Sequence, residues 1–158
     1  MAYTLYAVIG EATVLGGLRH PSMHPMLPLR AGLGLCSVNT SVAADEPPAE
    51  MPDELYYLSE PVAGYAKVLS ERTPVIYASA EFHGGDGEQG ACGWAGGELE
   101  FGPVVSIHDV STRARWRRHR QSGAINEALA WLGVPKPRRG DRFDAVGLSK
   151  RRAWEPEL

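Results

Sequence analysis

One stretch limits the fold more than any other: residues 74–103 read as three consecutive strands joined by glycine turns. From Val75 onward the side chains alternate, with Ile76, Ala78, Ala80 and Phe82 on one face and Tyr77, Ser79, Glu81 and His83 on the other. Gly84-Gly85-Asp86-Gly87 reads as a turn, because glycine reaches positive φ at no steric cost. Glu88 to Ala95 returns, and Gly96-Gly97 is a two-residue hairpin loop into a third strand, Glu98 to Phe101. That loop sets a register in which Trp94 faces Leu99 and Cys92 faces Phe101 on one apolar face. Such a meander is antiparallel, and the strand–helix alternation of a wound parallel sheet is missing.

The flanking segments extend this picture. Residues 3–9 alternate as a strand ended by Gly10, residues 11–18 suit a short helix, and residues 33–39 read as another strand. Between them, Pro21, Pro25 and Pro28 exclude a helix and favour an extended loop. A helix is expected over about 60–72, where Val62, Tyr65, Ala66 and Leu69 form one stripe behind an N-capping Ser59 and Pro61 in the first turn. A second is expected over about 123–133, with Ile125, Ala128, Leu129 and Leu132 as its stripe, Gly133 as its stop and Pro135 beyond. The expectation is an α+β fold: a mostly antiparallel sheet of about five strands with two or three helices packed on one face. The 158 residues suit a single domain, 1–158. Within it lie an acidic, proline-rich loop at 43–58 and a basic, loop-rich tail at 135–158. A chain this long buries roughly two-thirds of its unfolded surface and needs no disulfide or metal to fold.

The first residues hold no basic leader before an apolar run, and no stretch approaches the ~18 apolar residues of a membrane helix. Cys36 and Cys92 form no C-x-x-C pair. These features point to a reducing, cytoplasmic setting away from membranes. Cys92, alternating with Trp94, reads as a buried and inert thiol.

The net charge of −3 hides a division. Residues 1–112 carry four Lys/Arg against fourteen Asp/Glu, whereas residues 113–152 carry twelve against three. The acidic share concentrates in Asp45, Glu46, Glu50, Asp53 and Glu54. The basic share begins with Arg113, Arg115, Trp116, Arg117, Arg118, His119 and Arg120. Arginines with an interleaved indole suit phosphate neutralisation and base stacking, so a nucleic acid is one partner class for residues 113–120. Guanidinium forks equally suit carboxylates, of a protein partner or of this chain's own acidic segment. The overall pI near 5.9 weighs against a nucleic-acid module.

Candidate chemistry gathers around the first turn. Glu81, His83, Asp86 and Glu88 bring carboxylates and an imidazole to a strand end, residue types suited to acid–base work or metal binding. Turns collect Gly and Asp for backbone reasons alone, so a structural hairpin competes with that reading. His20 and His24 have helical metal-pair spacing, but Pro21 and Pro25 remove the helix. No phosphate loop, dinucleotide fingerprint or serine nucleophile elbow occurs, and no cofactor is implied.

The run from Val75 to Ala91, with Ala124-Ile125-Asn126-Glu127-Ala128-Leu129 and Asp141 to Leu148, resembles small uncharacterised actinobacterial proteins of immunity type. That resemblance implies a protein that binds and neutralises a toxin, and it carries no catalytic residues. The favoured expectation is a non-enzymatic binding protein acting through charged surfaces. Its candidate contacts are Asp45, Glu46, Asp53 and Glu54 on one side, and Arg113, Arg115, Trp116, Arg117, Arg118 and Arg120 on the other. The alternatives are a small enzyme at Glu81, His83, Asp86 and Glu88, with or without a metal, and a nucleic-acid accessory protein.

Overall fold

The computed structural model describes residues 2–83, 86–108 and 123–154. In chain order the elements are β1 (Ala2–Glu11), α1 (Ala12–Leu15), β2 (Leu27–Pro28), β3 (Leu33–Ser37), α2 (Thr40–Ala43), α3 (Glu60–Ser70), β4 (Val75–His83), β5 (Asp86–Ala95), β6 (Glu98–His108), α4 (Ala124–Trp131) and α5 (Arg142–Ala145). A 3-10 turn follows at Leu148–Lys150. Six strands form one antiparallel sheet in the order β2-β3-β1-β4-β5-β6. This is the expected α+β fold, with one strand more than the sequence suggested.

Alternation decides where the helices go. On β4, Val75 and Tyr77 pack into a core with α3, while Ile76, Ala78 and Ala80 pack into a second core with α4. β1 divides the same way, Val8 against Leu5, Ala7 and Ile9. Both faces of the central strands are apolar, so each needs its own cover. The helices therefore take both faces of the sheet rather than the single face expected.

The two long helices start and stop for the reasons their sequences give. The Val62 N–H donates to the Ser59 hydroxyl at 3.2 Å, capping α3, and Pro61 sits in its first turn. After α4, Gly133 takes φ +100°, and the Val134 N–H reaches back to the Leu129 carbonyl at 3.0 Å. The basic tail is more structured than expected. Val146, Leu148 and Trp154 are buried in the α4-side core, and the Trp154 indole donates to the Tyr3 hydroxyl at 3.2 Å.

The meander departs from expectation at three points. Asp86 and Gly87 belong to β5, pairing with His83 and Phe82, so they are strand rather than turn; Gly84 and Gly85 lie outside the described residues. β6 runs through Pro103 to His108 instead of ending at Phe101, because an edge strand tolerates a residue without an N–H. Trp94 does face Leu99, but Phe101 faces Gly93 rather than Cys92. Between those two pairs β5 advances one residue and β6 two, a bulge that turns Phe101 to the opposite face. There it stacks on Trp131, ring centroids 5.8 Å apart. Leu69 and Leu129 are each buried at the centre of one face. Leu69→Ala and Leu129→Ala should each lower stability in urea unfolding by about 2–5 kcal/mol. A loss within about 0.5 kcal/mol, typical of a surface site, would show that the corresponding face is not packed core.

Candidate functional site

On the α3 side of the sheet, β4 and β5 present a ladder of cross-strand pairs: Val75–Trp94, Tyr77–Cys92, Ser79–Gly90 and Glu81–Glu88. It passes from large apolar side chains to carboxylates through one gap. At Ser79–Gly90 the surface drops to a hydroxyl and a bare backbone, and the end of the acidic segment sits in that notch. The Ser79 hydroxyl donates to the Glu54 carbonyl at 2.8 Å and accepts from the Tyr56 N–H at 3.2 Å. Leu55 lies over Gly90, where an added Cβ would stand 2.8 Å from Leu55 Cδ1 and 2.9 Å from the Glu54 carbonyl oxygen.

The pairs on either side of the notch complete the attachment. The buried Tyr77 hydroxyl donates to the Tyr56 carbonyl, and burial raises its pKa. The Tyr56 hydroxyl donates to Glu88 Oε2 at 2.6 Å, and the Tyr6 hydroxyl donates to Glu81 Oε1. Tyr57 takes φ +61°, a strained conformation for a bulky residue, and sets its ring edge-on against Tyr6 at 4.8 Å. Farther along, both Glu46 carboxylate oxygens are engaged, by Ser22 at 2.8 Å and Ser59 at 3.1 Å. The acidic segment is thus tied at one end to the sheet, through Ser79, Tyr77 and Glu88, and at the other to the loop after α1 and the N-cap of α3, through Glu46.

This geometry sorts the acidic candidates. Glu46 turns inward as an acceptor, and Glu54 is half-buried beside Tyr56. Asp45, Glu50 and Asp53 are exposed. Between them opens a cleft of about 390 Å³, framed by Glu46, Pro48, Met51, Asp53, Tyr56 and Tyr57.

The turn candidates fare unequally. Glu81 and Glu88 do come together, directly opposed on one face, but both already accept tyrosine hydroxyls. His83 is exposed at the strand end opposite Asp86. Among the described residues no three His, Cys, Asp or Glu side chains converge to hold a metal ion. Cys92 is fully buried, and burial pushes its thiol up to about 12, as its alternation with Trp94 implied. The basic candidates Arg113, Arg115, Trp116, Arg117, Arg118 and Arg120 lie outside the described residues. No described helix is long and apolar enough to cross a membrane.

Sequence reasoning missed Ser79, Gly90, Tyr56 and Tyr77, which hold the acidic segment in place. One signal was available: an isolated glycine in a strand marks close approach by another backbone. A scan against protein-family models and searches of curated proteins and of solved structures returned no match.

The hydrogen bond to Glu88, then burial and the charges of Glu88, Glu81 and Glu54, raise the Tyr56 pKa from 10.0 to about 12. A raised pKa means this contact supports the fold fully below pH 10 and is lost as pH climbs through 12. Glu88→Gln should move Tyr56 ionisation back toward 10, followed by the ¹³Cζ shift of Tyr56 against pH; an unmoved midpoint would break the assignment. Gly90→Ala should cost about 1–3 kcal/mol by overpacking. It should also speed amide hydrogen exchange across residues 54–58 while leaving α4 protected; uniform protection in that segment would show that the notch does not hold it.

Proposed function

We propose that this protein is a non-enzymatic binding protein that grips a basic segment of a protein partner on its anchored acidic face. The observation that carries this reading is the cleft of about 390 Å³ between Asp53, Glu46 and the two tyrosines. Its Pro48 and Met51 walls suit the aliphatic stem of a lysine or arginine, and the exposed Asp53 carboxylate suits the charged head. Exposed Asp45, Glu50 and Asp53 around it attract a cationic surface from a distance and set orientation. Because the segment is already fixed to Ser79, Tyr77 and Glu88, little ordering entropy is spent on association. An immunity-type role, in which a toxin is neutralised by covering its basic surface, belongs to this reading. The arginine-rich residues 113–120 carry no part of it.

The test is recovery of the partner at low salt, its identification, and rebinding of the purified pair, beginning with proteins encoded beside this gene. Wild-type binding should weaken steeply as salt screens the acidic face. Asp45→Lys/Asp53→Lys should reduce affinity by at least about tenfold, a loss of about 1.4 kcal/mol. Gly90→Ala should weaken it too, by loosening the segment. Full affinity in the charge-reversed protein, or no partner at low salt, would defeat the reading.

The opposed Glu81–Glu88 pair favours a second reading, acid–base chemistry at that carboxylate pair. It requires that Glu81→Gln and Glu88→Gln abolish a cellular activity that the Asp45→Lys/Asp53→Lys protein retains.

A further inference from the structure

A second cleft, of about 620 Å³, opens between the loop that follows α1 and the strand β3. Leu15, Met23 and Cys36 form its floor, and Arg19, His20 and His24 stand on its rim. The backbone that carries the rim is tied down at Leu18, Ser22 and His24. The Tyr65 hydroxyl donates to the Leu18 carbonyl at 3.4 Å, the His24 N–H to the Ser37 carbonyl at 2.8 Å, and the Asn39 N–H to the Ser22 carbonyl at 2.8 Å. Two prolines, Pro21 and Pro25, stiffen the same loop.

Two observations separate a molecule from a metal ion here. The volume falls within the range of small-molecule sites, about 300–1,000 Å³, and a single ion does not call for it. His20 Nδ1 accepts the Ser22 N–H at 3.1 Å, so the neutral ring carries its proton on Nε2. Nε2 is then a hydrogen-bond donor and offers a metal no lone pair. The Cys36 thiol, its pKa raised by burial, belongs to an apolar floor.

The rim therefore offers donors, a guanidinium and an imidazole N–H, above a floor of aliphatic carbon and sulfur. It is also an unusual place for positive charge, since Arg19 is one of only four Lys/Arg among the first 112 residues. We propose that this cleft binds a small organic acid with a flat apolar body, its carboxylate against Arg19 and His20 and its body on Leu15, Met23 and Cys36. The methionine floor adapts to the shape of that body. This site is separate from the acidic face, and neither reading depends on the other.

Calorimetric titration with 2-naphthoate tests it, using 2-naphthamide as the neutral isostere. One molecule of naphthoate should bind per chain, and the amide should bind more weakly. Arg19→Gln and His20→Asn should each weaken naphthoate by about tenfold, the loss of one charge-assisted or buried donor. Asparagine places an oxygen where Nδ1 accepts the Ser22 amide, so the loop keeps its anchor while the Nε2 donor is removed. An unchanged circular dichroism spectrum and melting temperature confirm that each variant is folded. No binding at millimolar naphthoate, equal binding of the amide, or unaltered affinity in both variants would overturn the proposal.

Discussion

The fold depends on burying β4 from both sides. This strand lies between β1 and β5, and its residues from Val75 to Ala80 are buried on both faces. The two covers differ because the two faces differ. Toward α4 the sheet offers Ala7, Ala78, Ala80 and Ala91 among Leu5, Ile9 and Ile76, and α4 answers with Ala124, Ile125, Ala128 and Leu129. Toward α3 it offers Tyr77 and Trp94 beneath Val62, Tyr65 and Leu69. Close packing on both faces leaves little latitude in β4, so the cross-strand pairs it makes with β5 form a rigid scaffold.

The candidate site follows from where that scaffold turns polar. The α3 side of the β4–β5 ladder is apolar until Ser79–Gly90 and acidic at Glu81–Glu88. A chain segment crossing there needs backbone contact at the gap and hydroxyl donors at the carboxylates. Residues 54–56 supply the backbone contact and the donor to Glu88, through the Glu54 carbonyl, the Tyr56 amide and the Tyr56 phenol, while Tyr6 of β1 supplies the donor to Glu81. The same contacts give the paired carboxylates an anchoring role. Each glutamate accepts one phenolic hydrogen bond, Glu81 at Oε1 and Glu88 at Oε2.

Most of the architecture was legible in the sequence because it rests on local rules. The alternation of β4, the Ser59 cap, the Gly133 stop and the Gly96-Gly97 loop are each decided within a few residues. The errors came where a distant partner decides. Pro103 looks like a strand terminator until β6 is known to be an edge. Phe101 changes face because of a bulge that no periodicity announces. Helices on both faces follow from the burial of β1 from Ala7 to Gly10 and of β4 from Val75 to Ala80, which Ser79, Glu81 and His83 on the α3 side disguised as half-buried alternation. The acidic proline-rich segment reads as a solvated loop in isolation, since its anchors, Ser79 and Gly90, lie on other elements.

The anchored segment also sets how a complex on this face would divide its energetics. Exposed carboxylates such as Asp45 and Asp53 gain only about 0.2–1 kcal/mol each from pairing with surface cations. Such contacts accelerate encounter and select sign, but they cannot by themselves hold a partner for long. Affinity must come from a desolvated centre, where aromatic side chains contribute most. Tyr57 is the residue so placed: it is 39% exposed, braced edge-on against Tyr6, and stands at the lip of the acidic cleft. Charge would then govern how fast a partner arrives, and the tyrosine-walled cleft how slowly it leaves.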